Sequence, residues 1–169
     1  DTIYEKAASG VGDGQVLLKE PGLRHFPTSW SRDGRFLLYH TENATNTGYD
    51  LWALSLSDRK THLILGEAFN EWAGVFSPDM RWVAYVSLET GASAEVYVRQ
   101  FRVSGETGQP SLGEGKWQVS KDHGNWPQWR VDREIVFNTA PSGTAILAAP
   151  VITNGTAFES GVPQRLPLP

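Results

Sequence analysis

The chain contains 169 residues, of which 40% are hydrophobic and 20% charged, a balance typical of globular proteins that argues against overall disorder. Its formal net charge is −4 and the sequence shows no basic cluster, so nucleic acid is not an expected partner. The absence of cysteine excludes disulfides, thiolate catalysis and thiolate metal sites, and it leaves the cellular compartment open.

The residue types favour strands over helices. Seven Trp, seven Phe and five Tyr accompany 17 Gly, 10 Pro and a single Met, a composition suited to β-strands joined by tight turns. No apolar run approaches the roughly 18 residues that a membrane-spanning helix requires, so we expect no direct membrane insertion of this segment. The first residues, DTIYEKAASG, lack a secretory signal pattern, and their abrupt start is the one expected of an excised segment.

Two strands are predicted near the N-terminus, in TIYEKAA and GQVLLKE. Both are short apolar runs separated by glycine-rich turn residues. We interpret residues 1–20 as the last two strands of a four-stranded unit whose first half is missing.

A ten-residue pattern then occurs three times, as WSRDGRFLLY (30–39), FSPDMRWVAY (76–85) and WRVDREIVFN (129–138). Each copy has an aromatic residue at the first place, Asp at the fourth and an apolar strand at the end. The copies begin 46 and 53 residues apart. A propeller blade of four antiparallel strands takes about 40–45 residues, so each interval fits one blade plus a loop extension. The polar stretch at 102–115 is expected to supply the surplus of the longer interval.

The repeat continues beyond the shared residues. A polar loop follows each copy, then a third strand that begins near Asp50, Glu95 or Ala145, and then a fourth strand. The fourth strands are predicted at 61–66 and 116–121, with a possible short one at 163–168. The predicted blades are 26–66, 70–121 and 126–169, and with the N-terminal half-blade they give 14 strands. The predicted fold is all-β, a partial β-propeller of about three and a half four-stranded antiparallel blades.

The repeated turn has a local chemical explanation. In Ser77-Pro78-Asp79-Met80, Pro presets φ for the second position, Asp tolerates the bridge or left-handed region, and the Ser hydroxyl can bond backbone amides. In the first copy the fourth residue of this turn is Gly34, and glycine readily adopts a left-handed backbone conformation there. Because a positive φ is costly for Met80 and Arg133 at the same place, those turns are expected to bear strain or to use another turn type.

The aromatic residue that opens each copy is Trp30, Phe76 or Trp129. Since it recurs at one structural place in every unit, we predict a core side chain packed between neighbouring sheets in preference to a ligand-stacking role.

These motifs carry a family resemblance. The pattern W-S-x-D-G-R-F-L-L-Y with Tyr49-Asp50-Leu51-Trp52, the F-S-P-D-x-R-W-V-A-Y-V-S stretch, and GKWQVSKDHGNWPQW (115–129) resemble the TolB-type, WD-repeat-like β-propeller. The resemblance is closest to the C-terminal sensor-like propeller region of some acidobacterial serine/threonine protein kinases, and it covers essentially the whole chain. Met80 and Arg133, where glycine is usual, and a shortened third unit depart from the pattern.

The resemblance implies a propeller sector on the periplasmic or extracellular side of a bacterial membrane, which binds a ligand and catalyses no reaction. The sequence lacks a glycine-rich phosphate loop, a His-Arg-Asp catalytic loop and an Asp-Phe-Gly motif, so no kinase domain is expected here. It also lacks a G-x-S-x-G elbow and any H-E-x-x-H spacing. No catalytic residue, cofactor or metal is predicted, although His25 and His123 occupy similar connections where a metal or proton-sensing site remains a minor alternative.

Candidate ligand-binding residues lie in the loops, because stacked blades bury both faces of each sheet and leave side chains free at the ends and along the central channel. The loops from each last strand to the next first strand, and the loops at 41–48, 88–93 and 139–143, are expected to share one end. Trp72 and Trp126 are expected near the channel mouth. The candidates are Arg24, His25, Asn70, Glu71, Trp72, His123, Asn125 and Trp126, and each has loop solvation or blade-edge packing as its alternative role.

An open arc of blades leaves sheet faces and edges uncovered, since propellers have about 4–8 blades. We therefore expect self-association, such as dimerisation, or completion by missing blades of a longer chain. Two functions remain. The preferred one is a non-catalytic binding or sensing scaffold for a protein, peptide or cell-envelope ligand, in a larger TolB-like or kinase-associated protein. The alternative is an accessory or substrate-gating propeller of a hydrolase or lyase.

Overall fold

A computed structural model describes residues 2–43, 48–91, 93–131, 133–139 and 145–167. Within these ranges the chain forms fifteen β-strands in four antiparallel sheets, and no helix is assigned. The all-β prediction is therefore confirmed. Parts of the predicted loops at 41–48 and 139–143, the turn residue Asp132 and the end of the predicted strand at 163–168 lie outside the described residues.

The first sheet has two strands, and we call it the half-blade. Its strands are β1 (Thr2–Glu5) and β2 (Gln15–Lys19), and they pair antiparallel. They are formed by the two apolar runs that the sequence predicts there.

The next two sheets each have four strands in sequential order. Blade 1 consists of β3 (Arg24–Trp30), β4 (Phe36–Asn43), β5 (Gly48–Ser55) and β6 (Thr61–Leu65). Blade 2 consists of β7 (Glu71–Phe76), β8 (Trp82–Ser87), β9 (Glu95–Val103) and β10 (Pro110–Gln118).

Blade 3 has a fourth strand that is divided in two. Its strands are β11 (Asn125–Arg130), β12 (Glu134–Asn138), β13 (Ile146–Asn154), β14 (Ala157–Ser160) and β15 (Gln164–Arg165). Both β14 and β15 pair with β13, at Val151–Asn154 and at Leu147–Ala148 respectively. The sequence predicts the second piece and misses β14, because AFES is only four residues long and has neither a continuous apolar run nor an alternating pattern.

The polar stretch at 102–115, which was expected to form a loop extension, belongs largely to two paired strands. Strand β9 continues to Val103 and β10 starts at Pro110, so most of the stretch extends a hairpin, with Phe101 paired to Leu112. The strand register then shifts between Leu112 and Lys116. The surplus residues thus lengthen two strands and add a β-bulge, a common way to insert residues without breaking a sheet.

Three apolar layers hold the sheets face to face. Alternate residues of each strand point to opposite faces, and the buried ones meet the neighbouring sheet. The half-blade contributes Ile3, Leu17 and Leu18 against Leu37, Tyr39 and Leu54 of blade 1. The layer between blades 1 and 2 includes Leu38, Leu51, Phe76 and Tyr85. The layer between blades 2 and 3 includes Trp82, Val98, Ile135, Phe137 and Phe158.

The repeated turns of blades 1 and 2 form the same hydrogen-bond network. The Ser77 hydroxyl donates to Asp79 Oδ1 at 2.6 Å and accepts from the Trp82 N–H at 3.0 Å. Asp79 also accepts from the N–H and Nε of Arg81, at 3.1 and 2.5 Å. These bonds outweigh the effect of burial, which opposes ionisation, and lower the pKa of Asp79. In blade 1 the same bonds join Ser31, Asp33, Arg35 and the Phe36 N–H.

The fourth place of this turn has a positive φ in both blades. Gly34 has φ 73° and Met80 has φ 63°. Of the two outcomes expected for Met80, the turn therefore shows strain, since left-handed backbone is uncommon for non-glycine residues. In blade 3, Arg130 takes the place of Ser77 and Glu134 that of Arg81, and Arg130 Nη1 donates to Glu134 Oε2 at 3.1 Å.

The aromatic residues at the first place of the pattern are not equivalent, and the core prediction is wrong for Trp30. Phe76 is buried, and Trp129 is half-buried with its Nε1 donating to the Val75 carbonyl at 3.2 Å. Trp30 is 46% exposed. Trp129 lies against β7, which is the first strand of the preceding blade. The half-blade that precedes Trp30 has no corresponding first strand among the described residues.

The first strand of each blade carries a β-bulge at the same place. The register shifts between Pro27 and Ser29 in β3, between Trp72 and Val75 in β7, and between Asn125 and Gln128 in β11. Bulges bend a strand and redirect its side chains. In each strand the bulge lies within two residues of an aromatic side chain, which is Phe26, Trp72 or Trp126.

Candidate functional site

Five aromatic rings surround one open pocket of about 360 Å³. The pocket lies where β3, β7 and β11 begin, near the end of β4 and the start of β5. It is lined by Phe26, His40, Tyr49, Trp72 and Trp126. We call it the aromatic pocket.

The strand register of blade 1 brings three of these rings to one sheet face. Phe26 on β3 lies opposite His40 on β4, and Tyr49 on β5 lies opposite Glu42, two residues further along β4. Residues i and i+2 of a strand share a face, so Glu42 and His40 both lie on the face that carries Phe26 and Tyr49. The other two rings come from blades 2 and 3.

The rings are in mutual contact along the pocket wall. Phe26 and His40 stack with centroids 4.9 Å apart and an interplanar angle of 13°. Tyr49 meets His40 edge-on at 5.6 Å and lies tilted against Trp72 at 6.1 Å. Offset and edge-to-face arrangements at these distances are favourable for aromatic pairs, so the wall is preformed.

Asn125 connects the two tryptophans. Its side-chain Oδ1 accepts from Trp72 Nε1 at 3.0 Å and from the Trp126 backbone N–H at 2.9 Å. The first bond fixes the indole of Trp72, and the second fixes the backbone of the next residue in the β11 bulge. Trp126 is 53% exposed and has φ 50°, a conformation that is uncommon for a bulky residue. Strained residues of this kind cluster at functional sites.

An ion pair borders the pocket on the side of blade 1. Arg24 Nη1 donates to Glu42 Oε2 at 2.6 Å, and the Arg24 guanidinium carbon lies 5.2 Å from the centroid of the Phe26 ring. The guanidinium is therefore paired with a carboxylate and placed over an aromatic face at the same time. Such cation–π contacts add to the electrostatic attraction of the pair.

His40 carries no charge at neutral pH. Its side chain is buried, and this burial lowers the pKa of His40 to about 4. The neutral imidazole acts as a third aromatic surface beside Phe26 and Tyr49. Since an efficient general acid or base has a pKa near the working pH, His40 is better suited to packing than to proton transfer.

Two of the predicted site residues are buried away from the pocket. His25 follows Arg24 on β3 and points to the half-blade side, where its Nε2 lies 2.9 Å from Glu20 Oε2 and its ring contacts Tyr39. Glu71 precedes Trp72 on β7 and is 1% exposed. The alternation of side chains along β3 and β7 explains why each lies on the face opposite its neighbour in the pocket.

Glu71 is a weakly solvated buried carboxyl group. Its oxygens accept from the Glu67 N–H at 3.4 Å and the Ser87 hydroxyl at 3.5 Å, both long distances. Burial is the main cause that raises the pKa of Glu71 to about 7, and the neighbouring carboxylates of Glu67 and Asp50 also raise it. The group is therefore partly protonated near neutral pH.

Asn70 and His123 take other positions. Asn70 Oδ1 accepts from the Tyr49 N–H at 3.1 Å, and a Cβ on Gly48 would lie 2.2 Å from this atom, so Asn70 holds the start of β5 against a residue that must be glycine. His123 is exposed and lines a separate cavity of about 200 Å³ beside Phe137 and Leu147. Its backbone N–H donates to buried Glu95 at 3.1 Å.

The structure thus gathers part of the predicted set. Trp72, Asn125 and Trp126 meet at the aromatic pocket, Arg24 borders it and Asn70 supports its wall, while His25, Glu71 and His123 do not line it. Sequence reasoning missed Phe26, His40 and Tyr49. Phe26 stands four residues before Trp30, as Trp72 does before Phe76, so an alignment extended upstream could have found it.

No group of three or more His, Cys, Asp or Glu residues in the described part of the chain could hold a metal ion. His25 and His123, which have similar places in the sequence, lie in different surroundings. The described ranges also contain no helix with the length and hydropathy needed to cross a membrane.

Comparisons with known proteins identify the fold. No family model and no curated protein matches the chain. It superposes on the crystal structure of TolB from Acinetobacter baumannii with a TM-score of 0.63 and 18% identity, over 96% of this chain and 38% of that chain. The chain has the β-propeller fold of TolB.

A second TolB structure agrees. The putative TolB from Agrobacterium tumefaciens matches with a TM-score of 0.65 and 14% identity, over 94% of this chain and 59% of that chain. This chain therefore spans about two-fifths and three-fifths of the lengths of the two TolB structures. The prediction of a partial TolB-type propeller is confirmed at the level of the fold, and neither of these structures is a kinase.

Proposed function

We propose that this chain is a non-catalytic β-propeller scaffold that binds a protein or peptide ligand, or a cell-envelope component, at the aromatic pocket. The observation that carries the proposal is the convergence of Phe26, His40, Tyr49, Trp72 and Trp126 from three blades on one open cavity. Ligand sites are typically concave, mostly apolar and largely preformed, with a few polar groups that fix orientation.

The state of the pocket supports binding over catalysis. Its one titratable imidazole, His40, has a pKa lowered to about 4 by burial. The polar groups at the pocket are already engaged in holding it together, since Asn125 fixes Trp72 and Glu42 pairs with Arg24. The half-exposed indole of Trp126 remains available for contact. Aromatic side chains of this kind dominate the energy of protein interfaces.

The parent protein is part of the proposal. We place this segment in a larger TolB-like or kinase-associated protein, on the periplasmic or extracellular side of a bacterial membrane, as the sequence resemblance implies. The propeller fold shared with TolB supports the statement that the larger protein is TolB-like. The exposed Trp30 marks a face that further blades or a second copy of the chain would cover. Sedimentation at several concentrations tests the second copy, because a folded monomer throughout would remove self-association.

Selection of peptides tests the site. Random linear peptides selected on the full chain would be measured by titration calorimetry against the wild type, Trp126→Ala and Trp30→Ala. The two tryptophans are similarly exposed, at 53% and 46%, so the second variant is a matched control for loss of an exposed indole. We expect Trp126→Ala to lose binding and Trp30→Ala to keep it. Peptides that depend on Trp30 and ignore Trp126 would show that the pocket is not the site.

A further inference from the structure

The edge of the aromatic pocket already holds one guanidinium in a defined way. Arg24 donates to Glu42 at 2.6 Å while its guanidinium carbon lies 5.2 Å from the centre of Phe26. A planar guanidinium suits this double role because it stacks on aromatic faces and presents a fork of N–H groups to a carboxylate. The position of Arg24 thus gives one arrangement in which this surface binds a guanidinium group.

The interior of the pocket offers stronger faces for a cation than Phe26 does. Trp is the best cation–π partner among the aromatic side chains, and the pocket contains Trp72 and Trp126 together with Tyr49. The Nε1 of Trp72 is bonded to Asn125, so its ring is held in place before any ligand arrives. A preformed ring avoids the entropy cost of ordering a side chain on binding.

The charges near the pocket do not oppose a positive ligand. His40 is uncharged at neutral pH because burial lowers its pKa to about 4, so it does not repel a cation. Arg24 is neutralised by Glu42, which lies on the same sheet face as His40 and directly opposite Tyr49 in the register. The net charge of the whole chain is −4, so the overall field of the protein also favours a cation.

We propose that the aromatic pocket selects an arginine side chain in the bound protein segment, with the guanidinium stacked on Trp126 and Trp72, while Glu42 keeps Arg24 neutralised at the edge of the pocket. The inference rests on the proposed function, since it names the chemistry of the ligand at that site. An uncharged side chain would gain the apolar contact alone. A lysine ammonium would gain the charge, and it would lack the planar stack.

The test compares two peptides that differ by one charge. Acetyl-Gly-Gly-Arg-Gly-Gly-amide and the same peptide with citrulline in place of arginine have nearly the same shape, and citrulline is neutral. Titration calorimetry on the full chain at pH 7.5 measures both. We expect the arginine peptide to bind about 2- to 30-fold more tightly, the range that one cation–π site provides. Equal affinities, or no measurable binding of either peptide, would overturn the proposal.

Three variants locate the effect. Trp126→Leu keeps an apolar side chain and removes the ring, so the preference for arginine over citrulline should fall towards one. Glu42→Gln leaves the charge of Arg24 uncompensated beside the pocket, and the preference should fall by about 1.5- to 5-fold, as for an exposed ion pair. Trp30→Leu removes an exposed indole outside the pocket and should leave the preference unchanged. Far-UV circular dichroism and a denaturation midpoint confirm that each variant is folded.

The outcomes separate this inference from the proposed function. If both peptides bind the wild type equally and both lose binding in Trp126→Leu, the pocket is a binding site and the arginine inference is wrong. If the arginine peptide is preferred and the preference survives in Trp126→Leu while Trp30→Leu abolishes it, both are wrong.

Discussion

Replacement of Glu71 by Gln should stabilise the protein at alkaline pH and remove one component of its pH dependence. Burial raises the pKa of Glu71 to about 7, from an ordinary value of 4.5. Between these two values the folded chain holds a proton on Glu71 that the unfolded chain has released. Unfolding therefore becomes easier as the pH rises. Below the ordinary value both states are protonated, and above about 7 both are ionised, so the change is confined to this window.

The structure gives the size of the effect. A difference between 4.5 and about 7 corresponds to about 3 kcal/mol of stability, at about 1.4 kcal/mol for each pH unit. The surroundings explain the size of the pKa shift, because Glu71 is 1% exposed and its two hydrogen bonds, from Glu67 and Ser87, are 3.4 and 3.5 Å long. Gln cannot ionise, so the variant should be free of this loss.

Urea unfolding at half-unit steps from pH 4.5 to 8.5 measures the effect. The free energy of unfolding of Glu71→Gln minus that of the wild type should rise by about 2–3 kcal/mol across the window and then level off. Glu106→Gln, at the exposed tip of the β9–β10 hairpin, corrects for the loss of one carboxyl group. Parallel curves for the wild type and Glu71→Gln would refute the reasoning, since Glu71 would then have the same pKa in both states.

Three further predictions concern stability and are measured by urea unfolding at pH 7. At Trp126, where φ is 50°, the Trp126→Gly variant should be more stable than Trp126→Ala by about 1 kcal/mol, because glycine relieves the left-handed strain. Replacement by glycine is ordinarily the more destabilising of the two, and that result here would contradict the prediction. Asp79→Ala should cost about 1–2 kcal/mol because three hydrogen bonds to the carboxylate are lost, and a neutral result would show that the turn does not need them. Trp129→Phe should cost about 1 kcal/mol through loss of the bond to the Val75 carbonyl; Trp30→Phe, the matched change on the open face, should be close to neutral, and an equal cost for both would contradict the packing difference.

Local patterns were sufficient to predict most of the fold. The turn around Asp33 and Asp79 depends on residues two to five apart, and its chemistry is visible in the sequence. The continuous apolar run after each turn predicts the strands that begin at Phe36 and Trp82. Strand β14 was missed because its stability comes from pairing with β13, and a segment of four residues does not show that pairing in its sequence.

The site was harder to predict because it is assembled across blades. Trp72 and Trp126 stand four and three residues before the repeated pattern, and Asn125 ends the connecting loop before it. The structure joins the three through one amide oxygen. His40 and Tyr49 reach the pocket through strand register and blade packing, which the sequence does not display. The prediction that Trp30 is a core residue is wrong for a similar reason. Burial of Trp30 would require a first strand in the preceding unit, and the described part of the half-blade contains only its two strands β1 and β2.

The central claim, that ligands bind at the aromatic pocket, is tested most directly by fluorine NMR of the full chain labelled with 5-fluorotryptophan. The seven tryptophans give seven signals, which single Trp→Phe variants assign, and a selected peptide is then titrated. The account predicts that the Trp72 and Trp126 signals shift together with one dissociation constant while the Trp30 signal stays in place. A shift of the Trp30 signal with Trp72 and Trp126 unmoved would contradict it.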